Sequence, residues 1–215
     1  MKIETPTCIE PGRPRRKRNA RGEGGRLRDE LIGAALEVIA QEGSADAATI
    51  RAVARRAGVS APSVYLHFAD RDALLAAVVV RLFDDLTDTV DHVLESLDPA
   101  TSPAGALRAG CRAYIDFGLE NPGHYRLLFD EPVKLSDEEA ALASHDALGT
   151  LVDGIASCQA AGAARDGDPF TMAVTIWSAL HGIVMSAISG RGFPEPDVDT
   201  MLELVLSGMT GVTFG

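Results

Sequence analysis

The 215-residue chain is 46% apolar and 24% charged, enough for a packed core and ordinary for a soluble protein of one or two domains. Cys8, Cys111 and Cys158 lie far apart and form no Cys-x-x-Cys, a pattern that indicates neither a disulfide framework nor a zinc site and favours a reducing, cytoplasmic setting. The formal charge of −11 would argue against nucleic acid, but residues 1–75 hold 13 Lys and Arg against 10 Asp and Glu, whereas residues 76–215 hold 7 against 21.

Residues 1–25 mix Pro11, Pro14 and several glycines with Arg13, Arg15, Arg16, Lys17 and Arg18. Nothing there can build a core, so a disordered basic arm is expected. No apolar run follows its basic residues, so it does not read as a signal peptide. Arg13, Arg15, Arg16 and Arg18 either follow DNA phosphates or enter a minor groove, or they simply keep a tail solvated.

A first helix is expected from about Arg26 to Glu42, on the stripe Leu27, Leu31, Ala34, Ala35, Val38 and Ile39, with Gly43 ending it. Thr49 stands at an N-cap position before Ile50, Val53, Ala54 and Ala57. Gly58 closes that helix where a left-handed residue costs least. Ser60 reads as the next cap and Pro62 as a first-turn residue, so a recognition helix is expected over about Ala61 to His67. Val64, Leu66 and Phe68 are expected in the core, leaving Ser60, Ser63, Tyr65 and His67 for phosphates or base edges, and Ala61 or Pro62 for a thymine methyl. Helix, glycine turn and short polar-faced helix make a helix-turn-helix, a unit that fits the ~12 Å major groove.

Asp70 caps a fourth helix whose apolar stripe from Leu74 to Leu97 runs down to Pro99, about 40 Å if unbroken. Its Asp84, Asp85, Asp88, Asp91, His92 and Glu95 fall on several faces and read as wet surface rather than a metal site. Further helices are expected over about Pro103–Glu120, Pro122–Phe129, Ser136–Ala161, 169–189 and 197–211. Ser136 with Glu139 makes a capping box, and Asp168 and Asp197 are the later caps. Phe170–Ser189 lacks Asp, Glu, Lys and Arg and approaches the length of a membrane span. Thr171, Thr175, Ser178, His181, Gly182 and Ser186 interrupt it, which points instead to a helix buried in a bundle or dimer interface. With no alternating β-branched run, the expected fold is all-α, about nine helices. No metal, cofactor or catalytic motif is found: His-Glu-x-x-His, a phosphate loop and Gly-x-Ser-x-Gly are all missing.

The run Thr49-Ile-Arg-Ala-Val-Ala-Arg-Arg-Ala-Gly-Val-Ser-Ala-Pro-Ser-Val-Tyr-Leu-His-Phe-Ala-Asp-Arg-Asp-Ala-Leu-Leu75 resembles the DNA-binding domain of the TetR family of bacterial transcription repressors. Asn121-Pro-Gly-His-Tyr-Arg-Leu-Leu-Phe129 and Trp177-Ser-Ala-Leu-His-Gly182 are similar to a subgroup named for its Trp-His-Gly signature. The resemblance implies a DNA-binding domain over 26–75 and a ligand-binding and dimerisation domain over 76–215. It implies a phosphate bond from Tyr65, a family His/Tyr position at His67, and a phosphate-binding role for Arg71, where Lys is common. Thr49 and Arg51 would open the helix that crosses the DNA backbone.

The resemblance further implies a homodimer joined through the last two long helices. It would bind a palindromic operator with half-sites ~34–36 Å apart and be released by a small-molecule effector. Trp177 and His181 share one helix face, near Met172, Ile176 and Met185. Tyr114, Phe117, His124, Tyr125 and Phe129 supply an opposing wall. Such a set suits a small-molecule pocket, and equally a packed core with satisfied polar atoms. An activator or a ligand-independent regulator would share the fold. A helical enzyme would need a nucleophile–base signature, which is absent, and a simple interaction protein would show no salt-dependent DNA binding.

Overall fold

A computed structural model describes residues 24–129, 133, 135–190 and 196–212. These residues form nine α-helices and no strand: α1 (Gly24–Glu42), α2 (Ile50–Ala57), α3 (Ala61–Val64), α4 (Arg71–Glu95), α5 (Pro103–Glu120), α6 (Pro122–Phe129), α7 (Asp137–Ala160), α8 (Pro169–Ser189) and α9 (Val198–Thr210). A 3-10 turn over Ala45–Ala47 joins α1 to α2 and has no counterpart among the expected elements. Arg13, Arg15, Arg16 and Arg18 of the basic arm lie outside the described residues, as does the side chain of Glu139 from the expected capping box.

Side-chain caps set most helix starts. The amide of Ala52 donates to Thr49 Oγ1 (3.2 Å), that of Ala73 to Asp70 Oδ1 (2.8 Å), and that of Gly105 to Ser102 Oγ (3.1 Å). Asp168 and Asp197 serve α8 and α9 in the same way, through Thr171 and Thr200. Each bond satisfies a first-turn amide that the helix itself leaves unpaired, worth roughly 1 kcal/mol. Gly58 ends α2 at φ 70°, in the left-handed region, where a Cβ would be strained.

The recognition element departs from expectation. Ser60 stands at the N-cap position of α3 but makes no capping bond; its hydroxyl pairs with that of Ser63 at 2.7 Å. The helix lasts one turn rather than two. Its Val64 carbonyl accepts from the amides of both His67 (2.9 Å) and Phe68 (3.0 Å), which closes the turn. Val64 and Phe68, four apart, share the inward face and are buried. Leu66 does not join them: it lies between the two, points the opposite way and is 82% exposed.

α1, α2, α3 and the start of α4 close around Leu31, Ile39, Val53, Val64, Phe68 and Leu74, all buried. The Arg28 guanidinium lies 5.2 Å from the centre of the Phe68 ring and covers that small core from outside. α4 runs unbroken for 25 residues, about 37 Å at ~1.5 Å per residue. The junction expected at 75–76 therefore falls inside a continuous helix. Farther along, α4 packs on α5 and α7, while α8 lies against α5, α7 and α9. Among the described helices only α8 is long and apolar enough to cross a membrane, yet Ala173, Ile176, Leu180, Ile183 and Val184 bury one of its faces within the bundle. α9 is clamped to α5 by Arg108, 2.8 Å from Asp199 and 3.2 Å from Glu203, and by Arg112, 2.8 Å from Asp199.

Candidate nucleic-acid interface and cavity

The helix-turn-helix places most of its expected contact residues on the outside. Thr49 and Arg51 are exposed at the start of α2, which packs directly on α3. Ser60, Pro62 and Tyr65 are exposed, and Ala61, Ser63 and His67 half-buried, along α3 and its closing turn. Tyr65 and Leu66 form a projecting pair, with Tyr65 56% exposed. Leu66 was expected in the core beside Val64 and Phe68, but two residues from each it falls on the opposite side of a helical turn, so the helical period itself points it outward.

Arg71 points elsewhere. Its Nη2 donates to the Ala45 carbonyl (2.6 Å), its Nε to the Ala48 carbonyl (3.3 Å), and Asp46 stands 3.5 Å away. The guanidinium fork thus pins the 3-10 turn to the start of α4, an internal use of donors that were expected to face phosphate. Arg71→Ala is expected to destabilise the chain by about 1–3 kcal/mol in urea unfolding, because the Ala48 carbonyl loses its bond and the Ala45 carbonyl keeps only the one from the Ala48 amide. Arg71→Lys should recover little, since a point charge cannot span both acceptors. Wild-type stability in Arg71→Ala would show that the brace carries no load.

Behind this unit, α4, α5, α7, α8 and the end of α6 enclose a cavity of about 690 Å³. Its walls are Phe83, Leu86, Val90 and Leu94 from α4, Leu107, Cys111 and Tyr114 from α5, Phe129 from α6, Leu151 from α7, and Trp177 and Leu180 from α8. Of the expected pocket residues, Tyr114, Phe129 and Trp177 reach it. The others do not. On α8 the cavity takes Val174, Trp177 and Leu180, spaced by three, so Ile176, His181 and Met185 fall off that stripe. Phe117 is buried in the core beside it. Met172 lines a separate hollow of about 370 Å³ with Arg165, Thr171 and Met209. His124 is engaged at α1, with Nε2 2.9 Å from the Leu36 carbonyl. The α4 and α7 walls went unseen in the sequence because cavity-lining and core-filling leucines are the same letter. The available signal was Gly110 and Gly154, two lining positions without a side chain to fill the space.

Below the cavity, the Asn121–Phe129 and Trp177–Gly182 stretches meet. The Tyr114 and Tyr125 hydroxyls are 2.7 Å apart, and Tyr125 Oη is 2.9 Å from His181 Nδ1. A hydroxyl has one proton, so if Tyr125 donates to the imidazole it accepts from Tyr114. The His181 ring stacks between Tyr125 (5.6 Å, 25°) and Trp177 (5.7 Å, 23°), with Phe129 edge-on at 5.0 Å. Tyr125 is fully buried and stands behind the cavity wall, against the lining residues Tyr114 and Phe129. Among the described residues no group of three or more His, Cys, Asp or Glu side chains gathers as a metal site requires.

Residues 31–78 match the family model for bacterial regulatory proteins of the tetR family, and residues 107–209 match that for the tetracyclin repressor-like C-terminal domain. The uncharacterized HTH-type transcriptional regulator Rv0681 of Mycobacterium tuberculosis is 30% identical over 80% of this chain and 74% of its own length. The chain belongs to the TetR family of transcriptional regulators. The HTH-type transcriptional activator FasR of Mycolicibacterium smegmatis is 36% identical, over 53% of this chain and 50% of FasR. Among solved structures, a protein of unknown function from Rhodococcus sp. RHA1 is similar with a TM-score of 0.71 and 26% identity, covering 85% of this chain and 93% of that one. The family, Rv0681 and FasR are regulators of transcription rather than enzymes.

Burial holds this TetR-family regulator's inner tyrosines neutral. The Tyr114 phenol is pushed up to about 12, chiefly by desolvation, and Tyr125 is pushed higher still, first by burial and then by Tyr114 beside it. The folded chain therefore retains protons that the unfolded chain releases near pH ~10. This stabilisation is complete below that pH and declines as pH rises toward 12. Urea unfolding from pH 8 to 11 should show the decline, with a shallower slope in Tyr114→Phe. Equal slopes in the two proteins would contradict the assignment.

Proposed function

We propose that this TetR-family regulator binds a roughly palindromic operator as a homodimer in the cytoplasm and releases it when a small molecule enters the α4–α8 cavity. The observation carrying the proposal is α6. Tyr125 holds the cavity-wall residue Tyr114, while the preceding residue, His124, bonds α1 at Leu36. A ligand that shifts Tyr114 thus has a path of two neighbouring residues to the helix that supports the helix-turn-helix. Such coupling requires different ligand affinities in the two states, typically 1–3 kcal/mol apart.

Residues 26–75 are the DNA-binding unit, docking through Thr49, Arg51, Ser60, Ala61, Pro62, Ser63, Tyr65 and His67, with Arg13, Arg15, Arg16 and Arg18 adding phosphate contacts. Arg71 acts there as the brace of the fold. Residues 76–215 bind ligand at Tyr114, Phe129 and Trp177 and dimerise through α8 and α9. Phe170 and Leu204, 58% and 68% exposed, supply apolar surface for a partner helix.

Selection of bound DNA from a random pool, followed by fluorescence anisotropy over a salt series, tests the proposal. Affinity should fall steeply with salt, and Tyr65→Phe should weaken it severalfold with an unchanged melting temperature. A chain with no salt-dependent complex is not a DNA-binding regulator of this kind. The similarity to the activator FasR supports a second mode, in which ligand strengthens rather than weakens DNA binding. The sign of the ligand effect in the same titration decides between the two.

A further inference from the structure

We infer that the cavity selects an amphipathic ligand with an apolar body and a hydrogen-bond-donating head, neutral or cationic, and rejects carboxylate and phosphate heads; this rests on the cavity being the effector site. Burial differs around the cavity wall: Leu86, Leu107, Cys111 and Leu180 are buried, whereas Asp153 and Ser157 on α7 are exposed and mark its open side. Those two residues are four apart and share one side of α7. A ligand therefore sinks its apolar part among the leucines and leaves its head at Asp153 and Ser157. The volume, about 690 Å³, suits a drug-sized molecule.

The chemistry of the open end sets the head. Asp153 is the one carboxylate on the described wall, and no Lys, Arg or His lines it. The Ser157 hydroxyl already donates, to the Asp153 backbone carbonyl at 2.8 Å, so what it offers a ligand is an acceptor. Asp153 and Ser157 thus ask for a donor, and the other hydroxyls on the described wall outside the buried end, those of Thr87, Thr101 and Thr150, carry no charge to draw an anion. The buried end supplies no compensating charge either. The Tyr114 hydroxyl is engaged by Tyr125, and burial pushes the Cys111 thiol up to about 12, which keeps it neutral. An anion entering here would lose its water without gaining a cation, and at the mouth it would meet Asp153. The surrounding half of the chain, with 21 acidic residues against 7 basic over 76–215, adds to that repulsion.

The test is calorimetric titration of the purified full chain at pH 7.4 with decylamine and decanoate below their micellar concentrations and decan-1-ol below its solubility limit. Decylamine should bind at least ~10-fold more tightly than decanoate, with decan-1-ol between them. In Asp153→Asn the amine should fall to the affinity of the alcohol, whose own affinity stays unchanged. Decanoate binding as tightly as decylamine, or an amine preference that survives Asp153→Asn, overturns the head assignment. Gly110→Leu, which fills the cavity between α4 and α5, tests the site separately. Binding by none of the three probes, or binding indifferent to Gly110→Leu, overturns the cavity as the ligand site. Gly110-sensitive binding in the wrong charge order overturns only the head assignment.

Discussion

Alanine at Gly118 is expected to lower the free energy of unfolding by about 1–3 kcal/mol, although alanine is the better helix former. A Cβ there would sit 2.5 Å from Val184 Cγ1 and 2.8 Å from Tyr125 Cδ2, well inside the ~3.5–4.0 Å at which carbon atoms attract. Neither neighbour can give way cheaply. Val184 is buried and β-branched, with few rotamers to choose from. Tyr125 is buried and held by Tyr114 and His181. The added methyl must therefore push α5 away from α6 and α8, loosening the floor of the cavity. Gly33 in α1 is the contrast, because a Cβ added there would meet nothing within 4 Å. Gly33→Ala should stabilise by about 0.4–1 kcal/mol, by restricting the unfolded chain. Chemical denaturation of both variants checks the pair, and a gain at Gly118 equal to that at Gly33 would sink the close-packing explanation.

The two glycines illustrate what sequence can and cannot carry. Helix ends were legible because capping is local: Thr49, Asp70, Asp168 and Asp197 act within three residues of themselves. α5 and α6 accordingly begin and end where Pro103, Glu120, Pro122 and Phe129 suggested. Nothing local distinguishes Gly33 from Gly118, because the difference lies in Val184, which is distant in sequence. The internal bonds of Arg71 were hidden for the same reason. A basic residue at a helix start beside a helix-turn-helix suits phosphate, and only the fold lays Ala45 and Ala48 across its donors. Trp177 and His181 were recognised as partners, but their roles divide by one step around the helix: Trp177 faces the cavity and His181 the buried tyrosine.

His124→Ala is expected to reduce the effect of ligand on operator affinity by about 2- to 12-fold, the loss of one hydrogen bond worth ~0.5–1.5 kcal/mol. The acceptor is the Leu36 carbonyl, so the bond needs the proton on Nε2. α6 also crowds α1 beside this bond: a Cβ on Gly123 would stand 3.1 Å from the Ile39 carbonyl oxygen and 3.3 Å from Gly43 Cα. Contact that close transmits displacement, and the imidazole bond fixes its register. His124 does not line the cavity, so ligand affinity of the DNA-free variant should match wild type. Operator anisotropy with and without saturating decylamine measures the ratio, and Trp177→Ala, which alters the wall itself, should weaken ligand binding instead. If His124→Ala keeps the full ligand effect, α6 is not the route. The signal then runs along α4, whose Leu86 and Val90 line the cavity and whose Arg71 holds the turn leading into α2.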